Sequence, residues 1–109
     1  MAIGSAIVRV PKEAKKGEVV RIQMVITHPM ESGGRRDPQT GQTIPAYHLT
    51  KLEIFFNNNL LTAIDMGGGL SANPFVGITM KAEQSGVIKI VYQDNKDGKW
   101  ERTAEVNVT

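Results

Sequence analysis

Between His28 and Asp37 the chain sets an imidazole, a thioether, two carboxylates and two guanidiniums within ten residues: His28-Pro29-Met30-Glu31-Ser32-Gly33-Gly34-Arg35-Arg36-Asp37. Guanidinium forks match the geometry of carboxylates and other oxyanions, so this segment can bind an anion or present a charged face to another protein. The plainer reading is a solvated loop in which Glu31 and Asp37 neutralise the two arginines. His28, Met30, His48 and Met66 are donor types that a soft or borderline metal ion accepts, yet two histidines twenty residues apart with no thiolate form a poor ligand pattern. The run Gly67-Gly68-Gly69 lacks the spacing of a phosphate-binding loop and no helical repeat follows it, so it suits a crossing between sheets or the close approach of another backbone. Ser, His and Asp are all present without a nucleophile-elbow motif, and no catalytic residue is assigned.

The absence of cysteine decides more than any motif. With none in 109 residues, disulfides, zinc–thiolate sites, iron–sulfur clusters and a cysteine nucleophile are all excluded, and no cofactor or metal is expected. The net charge of +2 and the isoelectric point near 9.0 arise from thirteen basic residues scattered among eleven acidic ones. Such a dispersed excess is no nucleic-acid footprint. Apolar runs are only a few residues long, far from the ~20 that span a bilayer, so no membrane contact is expected. Met1 to Val10 has neither a basic start nor a long apolar run ahead of Arg9, and on its own reads as no secretory signal.

The elements that must position these residues follow a period of two, which sends alternate side chains to opposite faces of a sheet. Val20, Ile22, Met24 and Ile26 alternate with polar partners; so do Leu52, Ile54 and Phe56, then Val76, Ile78 and Met80, then Ile88, Ile90 and Tyr92, and finally Trp100, Ala104, Val106 and Val108 around the single interruption Arg102. With Ile3 to Val10 as the first strand and a weaker one over Leu60 to Met66, seven strands are predicted. Turn residues separate them at Lys15-Lys16-Gly17, Asn57-Asn58-Asn59, Gln84-Ser85-Gly86 and Asp94 to Gly98, the last as a hairpin tip. Seven short strands in one domain over 1–109 suit an all-β, immunoglobulin-like antiparallel sandwich held by packing without a disulfide. The core is expected around Trp100, Phe56, Tyr92 and the aliphatic positions above. Phe55, Phe75 and Val91 fall on the opposite parity and belong to outer faces, where a cluster would mark an interface. Two long irregular stretches, from His28 to about Pro45 and from Gly67 to Asn73, interrupt the rhythm, and long connections in a small domain are commonly functional.

Lys16-Gly17-Glu18-Val19-Val20, Ile26 to Gly33, Arg35-Arg36-Asp37, Ile44-Pro45, Ser71 to Phe75 and Thr103-Ala104-Glu105-Val106 occur in the order seen in the SoxZ family of the bacterial thiosulfate-oxidising Sox system, which the chain resembles over nearly its whole length. The segment from His28 to Gly33 with Arg35-Arg36-Asp37 after it is the specific part. The resemblance implies a non-catalytic β-sandwich subunit in a heterodimer with a SoxY-type partner, whose arm cysteine carries the sulfur intermediate, and transient contacts with other Sox enzymes. It implies a partner- or arm-facing role for His28, Pro29, Met30, Glu31, Arg35, Arg36, Ser71, Asn73, Pro74 and Phe75. It also implies a periplasmic destination, reached by co-export with a signal-bearing partner, and a homodimer is a further expectation for the isolated chain, because an uncovered sheet face or edge seeks pairing. Two other readings stand beside it: a homomeric adhesion or scaffold sandwich without a sulfur role, and a metal-binding protein using His28 and His48.

Overall fold

A computed structural model describes residues 2–109 and resolves the alternation into eight strands, with no helix among the described residues. They are β1 (Ala6–Arg9), β2 (Glu13–Ala14), β3 (Val19–Ile26), β4 (Leu49–Phe56), β5 (Asn59–Asp65), β6 (Phe75–Lys81), β7 (Gly86–Asp94) and β8 (Lys99–Val108). A three-stranded sheet in the order β1-β3-β6 faces a five-stranded sheet in the order β2-β8-β7-β4-β5, which is an immunoglobulin-like sandwich.

The eighth strand is one more than the sequence predicts. Chain leaving β1 meets Pro11, which cannot donate to a ladder, and crosses to the other sheet, where Glu13 and Ala14 pair in parallel with Asn107 and Val108 of β8. Two residues are too few to display a period, so alternation could not reveal this strand. The predicted first strand is likewise trimmed to Ala6–Arg9, because Gly4 adopts φ +91° and turns the chain out of the sheet.

Inward positions follow the expected parity: Val20, Ile22, Met24 and Ile26 of β3, Leu52 and Ile54 of β4, and Ile88, Ile90 and Tyr92 of β7 are buried. Each such side chain stabilises the fold by about 1.5–3 kcal/mol. Leu49 is also fully buried although its parity is odd, because a register shift between Leu49 and Lys51 turns it inward. Two expected core aromatics are only half-buried. Phe56 sits at the end of β4 beside the tight turn of Asn57 and Asn58, both at positive φ, and Trp100 caps the core at the other end by stacking on Tyr92 with ring centroids 5.6 Å apart.

The radius of gyration is 16.3 Å, against about 13 Å for a compact domain of this size. The principal extents of 58 × 20 × 19 Å give the reason. A ten-residue strand spans about 33 Å; the rest of the length comes from the connection between β3 and β4, which projects from one end.

Candidate functional site

Strand directions bring three connections to that end: residues 27–48 between β3 and β4, residues 66–74 between β5 and β6, and the hairpin of residues 95–98 between β7 and β8. Each long stretch that interrupts the two-residue rhythm is therefore a crossing from one sheet to the other, and both crossings lie together.

At their base is a buried pair. His28 continues the inward row of β3, and Asp94 continues the inward row of β7; the side chains are 0% and 1% exposed, with Nε2 3.1 Å from Oδ2. The Met30 N–H donates to His28 Nδ1 at 3.2 Å, which leaves Nδ1 unprotonated and assigns the ring proton to Nε2, from which it is donated to Asp94. Asp94 Oδ1 accepts from the backbone N–H groups of Lys96 and Gly98 at 2.9 and 2.8 Å. Burial pushes the Asp94 carboxyl upward, but the hydrogen bonds from His28, Gly98 and Lys96 outweigh it and hold the group below the ordinary carboxylate range. Rings close over the pair: Tyr47 meets His28 edge-on at 4.6 Å between centroids, and the Lys96 ammonium lies 4.2 Å over the Tyr47 ring.

From this base the connection runs out as a two-stranded ribbon. Glu31 and Tyr47 exchange both backbone hydrogen bonds, Ile44 N–H donates to Arg35 O, and Asp37 N–H to Gln42 O. Gly41 N–H then closes the tip onto Asp37 O. Arg35 forks onto Glu31, with Nη2 to Oε1 at 2.5 Å and Nε to Oε2 at 3.2 Å, and this contact lowers the Glu31 pKa and raises that of Arg35. Asp37 does not neutralise Arg36: its carboxylate caps the tip by accepting from Gln39 N–H. Among the described residues Arg36 has no carboxylate within 4 Å and stands exposed on the ribbon.

The second crossing is laced to the first. His28 N–H donates to Asn73 Oδ1 at 3.1 Å, and Asn73 N–H donates to His28 O at 2.8 Å. Asn73 itself adopts φ +52°, a left-handed conformation that asparagine tolerates. Gly68 is packed so closely that a Cβ there would lie 2.4 Å from Ser32 Cα, which is the close backbone approach the triple-glycine run suggests.

These contacts sort the residues singled out in the sequence by burial. His28, Met30 and Pro74 are assigned a partner-facing role by the resemblance, yet all three are buried inside this chain, and Pro29 is half-buried. They fix the path of the loops instead: Met30 holds φ +53° and its sulfur accepts the Leu49 N–H, while Pro74 O accepts the Ile26 N–H. Ser71, Asn73, Arg35, Arg36 and Phe75 are exposed, and Glu31 is half-buried beneath Arg35. Phe75 stands apart from the ribbon on the outer face of β6. Asp94, Tyr47 and Lys96 complete the base with Asn95, whose side chain accepts the His48 N–H and donates to the Ala46 carbonyl, and the sequence alone assigns none of them a site role. The signal for Asp94 was its parity, which places a carboxylate in line with Ile88, Ile90 and Tyr92.

The metal reading has no site among the described residues. Both His28 ring nitrogens are engaged, His48 Nδ1 lies 3.0 Å from the Leu49 carbonyl, and among the described residues no three His, Asp or Glu side chains gather.

The family model described as sulphur oxidation protein SoxZ matches residues 8–105. No curated protein matches the chain. Among solved structures it is similar to a superoxide reductase (neelaredoxin) from Ignicoccus hospitalis, at 21% identity and a TM-score of 0.75, covering 96% of this chain and 80% of that one. A putative superoxide reductase from Thermotoga maritima gives 19% identity and a TM-score of 0.72, covering 95% of this chain and 85% of that one. The sulfur carrier protein SoxY from Chlorobium limicola gives 19% identity and a TM-score of 0.62, covering 95% and 78%. At these identities the likeness is one of fold.

Proposed function

The chain belongs to the SoxZ family of sulphur oxidation proteins, and from that membership we propose that it is the non-catalytic, non-carrier subunit of a heterodimeric sulfur carrier. The observation that carries this reading is the absence of any cysteine. Covalent carriage of a sulfur intermediate needs a thiolate, so in this pair the reactive sulfur belongs to a SoxY-type partner. That a SoxY carrier has the same sandwich fold supports a pairing of two similar domains. The reading includes a periplasmic destination reached together with the signal-bearing partner.

Co-expression with a signal-bearing SoxY-type subunit, followed by fractionation and mass measurement, tests it. The expected result is a 1:1 complex in the periplasm and no periplasmic recovery when the partner is omitted. A chain that remains alone at micromolar concentrations of partner would falsify the reading.

In this function the ribbon serves to present the loaded carrier to the enzymes that act on it. Arg36 and the Arg35–Glu31 pair provide exposed charge there. Replacing Arg35 and Arg36 together by alanine is expected to leave the heterodimer intact and to lower turnover by the Sox enzymes about tenfold at low salt. The deficit should shrink as salt screens the wild-type interaction. Steady-state turnover at two ionic strengths checks this, and equal turnover for variant and wild type removes the arginines from the role.

A further inference from the structure

The outer face of the three-stranded sheet is a second surface, distinct from the ribbon. Its register aligns Ile7 with Val25 and Val25 with Phe75, a single apolar row across all three strands. Ile7 is 51% exposed and Phe75 63%. The next row is Arg9, Gln23 and Gly77, then come Arg21 with Thr79 and Val19 with Lys81. A Cβ on Gly77 would lie 3.4 Å from the Phe75 ring, so the ring lies down along the sheet beside a shallow groove bounded by Ile7 and Arg9.

Charge is what distinguishes this face. None of its outward positions carries a carboxylate, and among the described residues neither Arg9 nor Arg21 has one within 4 Å. The outer face of the five-stranded sheet is built differently: Glu53, Glu101 and Glu105 are interspersed with Lys51, Lys89 and Lys99, so its charges compensate one another. Single exposed apolar residues need no explanation, but a continuous row flanked by cations marks an interaction surface.

The same charge selects the occupant. A second copy docking through this same face would bring more cations and, apart from Glu83 paired to Lys81 at its margin, no anion, which opposes a face-to-face dimer. An apolar surface bearing carboxylates fits both features. The row also lies at the end of β6 that follows Asn73 and Pro74, so the face is continuous with the lacing of the two crossings.

We propose that this face, centred on Phe75 with Arg9 and Arg21 beside it, docks a protein surface of apolar residues flanked by carboxylates; resting on the function proposed above, that surface belongs to the carrier subunit. Calorimetric titration of the SoxY-type subunit into wild type, Phe75→Ser and Arg21→Glu tests the assignment. Each substitution is expected to weaken binding about 30-fold or more, while far-UV circular dichroism and Tm remain those of wild type because both side chains are exposed. Phe55→Ser and Lys89→Glu, on the opposite outer face, are expected to stay within about twofold to threefold. If wild type binds and the first pair bind equally well, the face is wrong and the subunit reading stands. If wild type does not bind, both fall. The assignment is also overturned if the isolated chain dimerises in a Phe75-dependent way, or if Phe75 and Arg21 instead direct it onto phosphatidylserine vesicles.

Discussion

Asp94→Ala is expected to lose about 3–4 kcal/mol of folding stability, a large share of what a domain of this size possesses. The substitution leaves the His28 Nε2–H buried without an acceptor, which alone costs about 1–3 kcal/mol. It also frees the backbone N–H groups of Lys96 and Gly98 and with them the hairpin that packs beneath Tyr47. Asp94→Asn keeps one accepting oxygen but turns an amide N–H₂ toward donors, so it is expected to cost about 1–2 kcal/mol. The pH dependence separates these variants from wild type. The folded carboxyl titrates below the ordinary range, so in acid the unfolded chain binds the proton first, near its own pKa of about 3.9. The stability contributed by Asp94 is therefore full above that value and is lost as pH falls through the folded pKa. Urea midpoints at pH 7 and through the range from about pH 6 to 3 check this. Wild type should approach Asp94→Asn as the medium becomes acid. An Asp94→Ala variant within 1 kcal/mol of wild type at pH 7 would remove the pair from the architecture.

The second large effect is expected at Gly4, and Gly17 supplies its control. Both have nearly the same left-handed backbone, φ +91° and +89°. Around Gly17 there is nothing within 4 Å of an added Cβ, whereas at Gly4 the Cβ would lie 2.1 Å from the Trp100 ring. Gly17→Ala thus reports the conformational cost alone, about 1–2 kcal/mol. Gly4→Ala adds the displacement of an indole stacked on Tyr92, whose hydroxyl donates to the Gly4 carbonyl, and is expected to cost about 3 kcal/mol or more in total. Trp100→Phe in the Gly4→Ala background should recover part of that difference. Urea unfolding followed by circular dichroism measures all four proteins, and equal losses at Gly4 and Gly17 would contradict the packing of Trp100 against the Gly4 turn.

These two sites also show where the sequence is legible and where it is not. Alternation reveals both sheets because each is wet on one face, and it places Ile22, Ile54 and Ile90 inside without error. It misses the parallel β2 for lack of length and does not reach Leu49, where a bulge resets the parity. The family-like segment around His28 lies at the end where the two crossings meet, and His28 and Met30 in it are buried within the chain. A loop rich in charge invites the expectation that every polar side chain faces outward, whereas His28 and Asp94 extend inward rows and satisfy each other. Their partnership spans 66 residues and no local spacing announces it. The row of Ile7, Val25 and Phe75 is equally hidden, because register between strands, not order along the chain, makes it continuous.

The elongated outline has a consequence for how tightly anything can hold this molecule. The cationic sheet and the far tip of the ribbon are two separate handholds on one elongated body. For a ligand long enough to touch both, the second grip is intramolecular and forms at an effective concentration on the order of millimolar, so two individually feeble contacts multiply into a chelate. Shortening the ribbon would then weaken such a complex far more than the few contacts at its tip are worth by themselves.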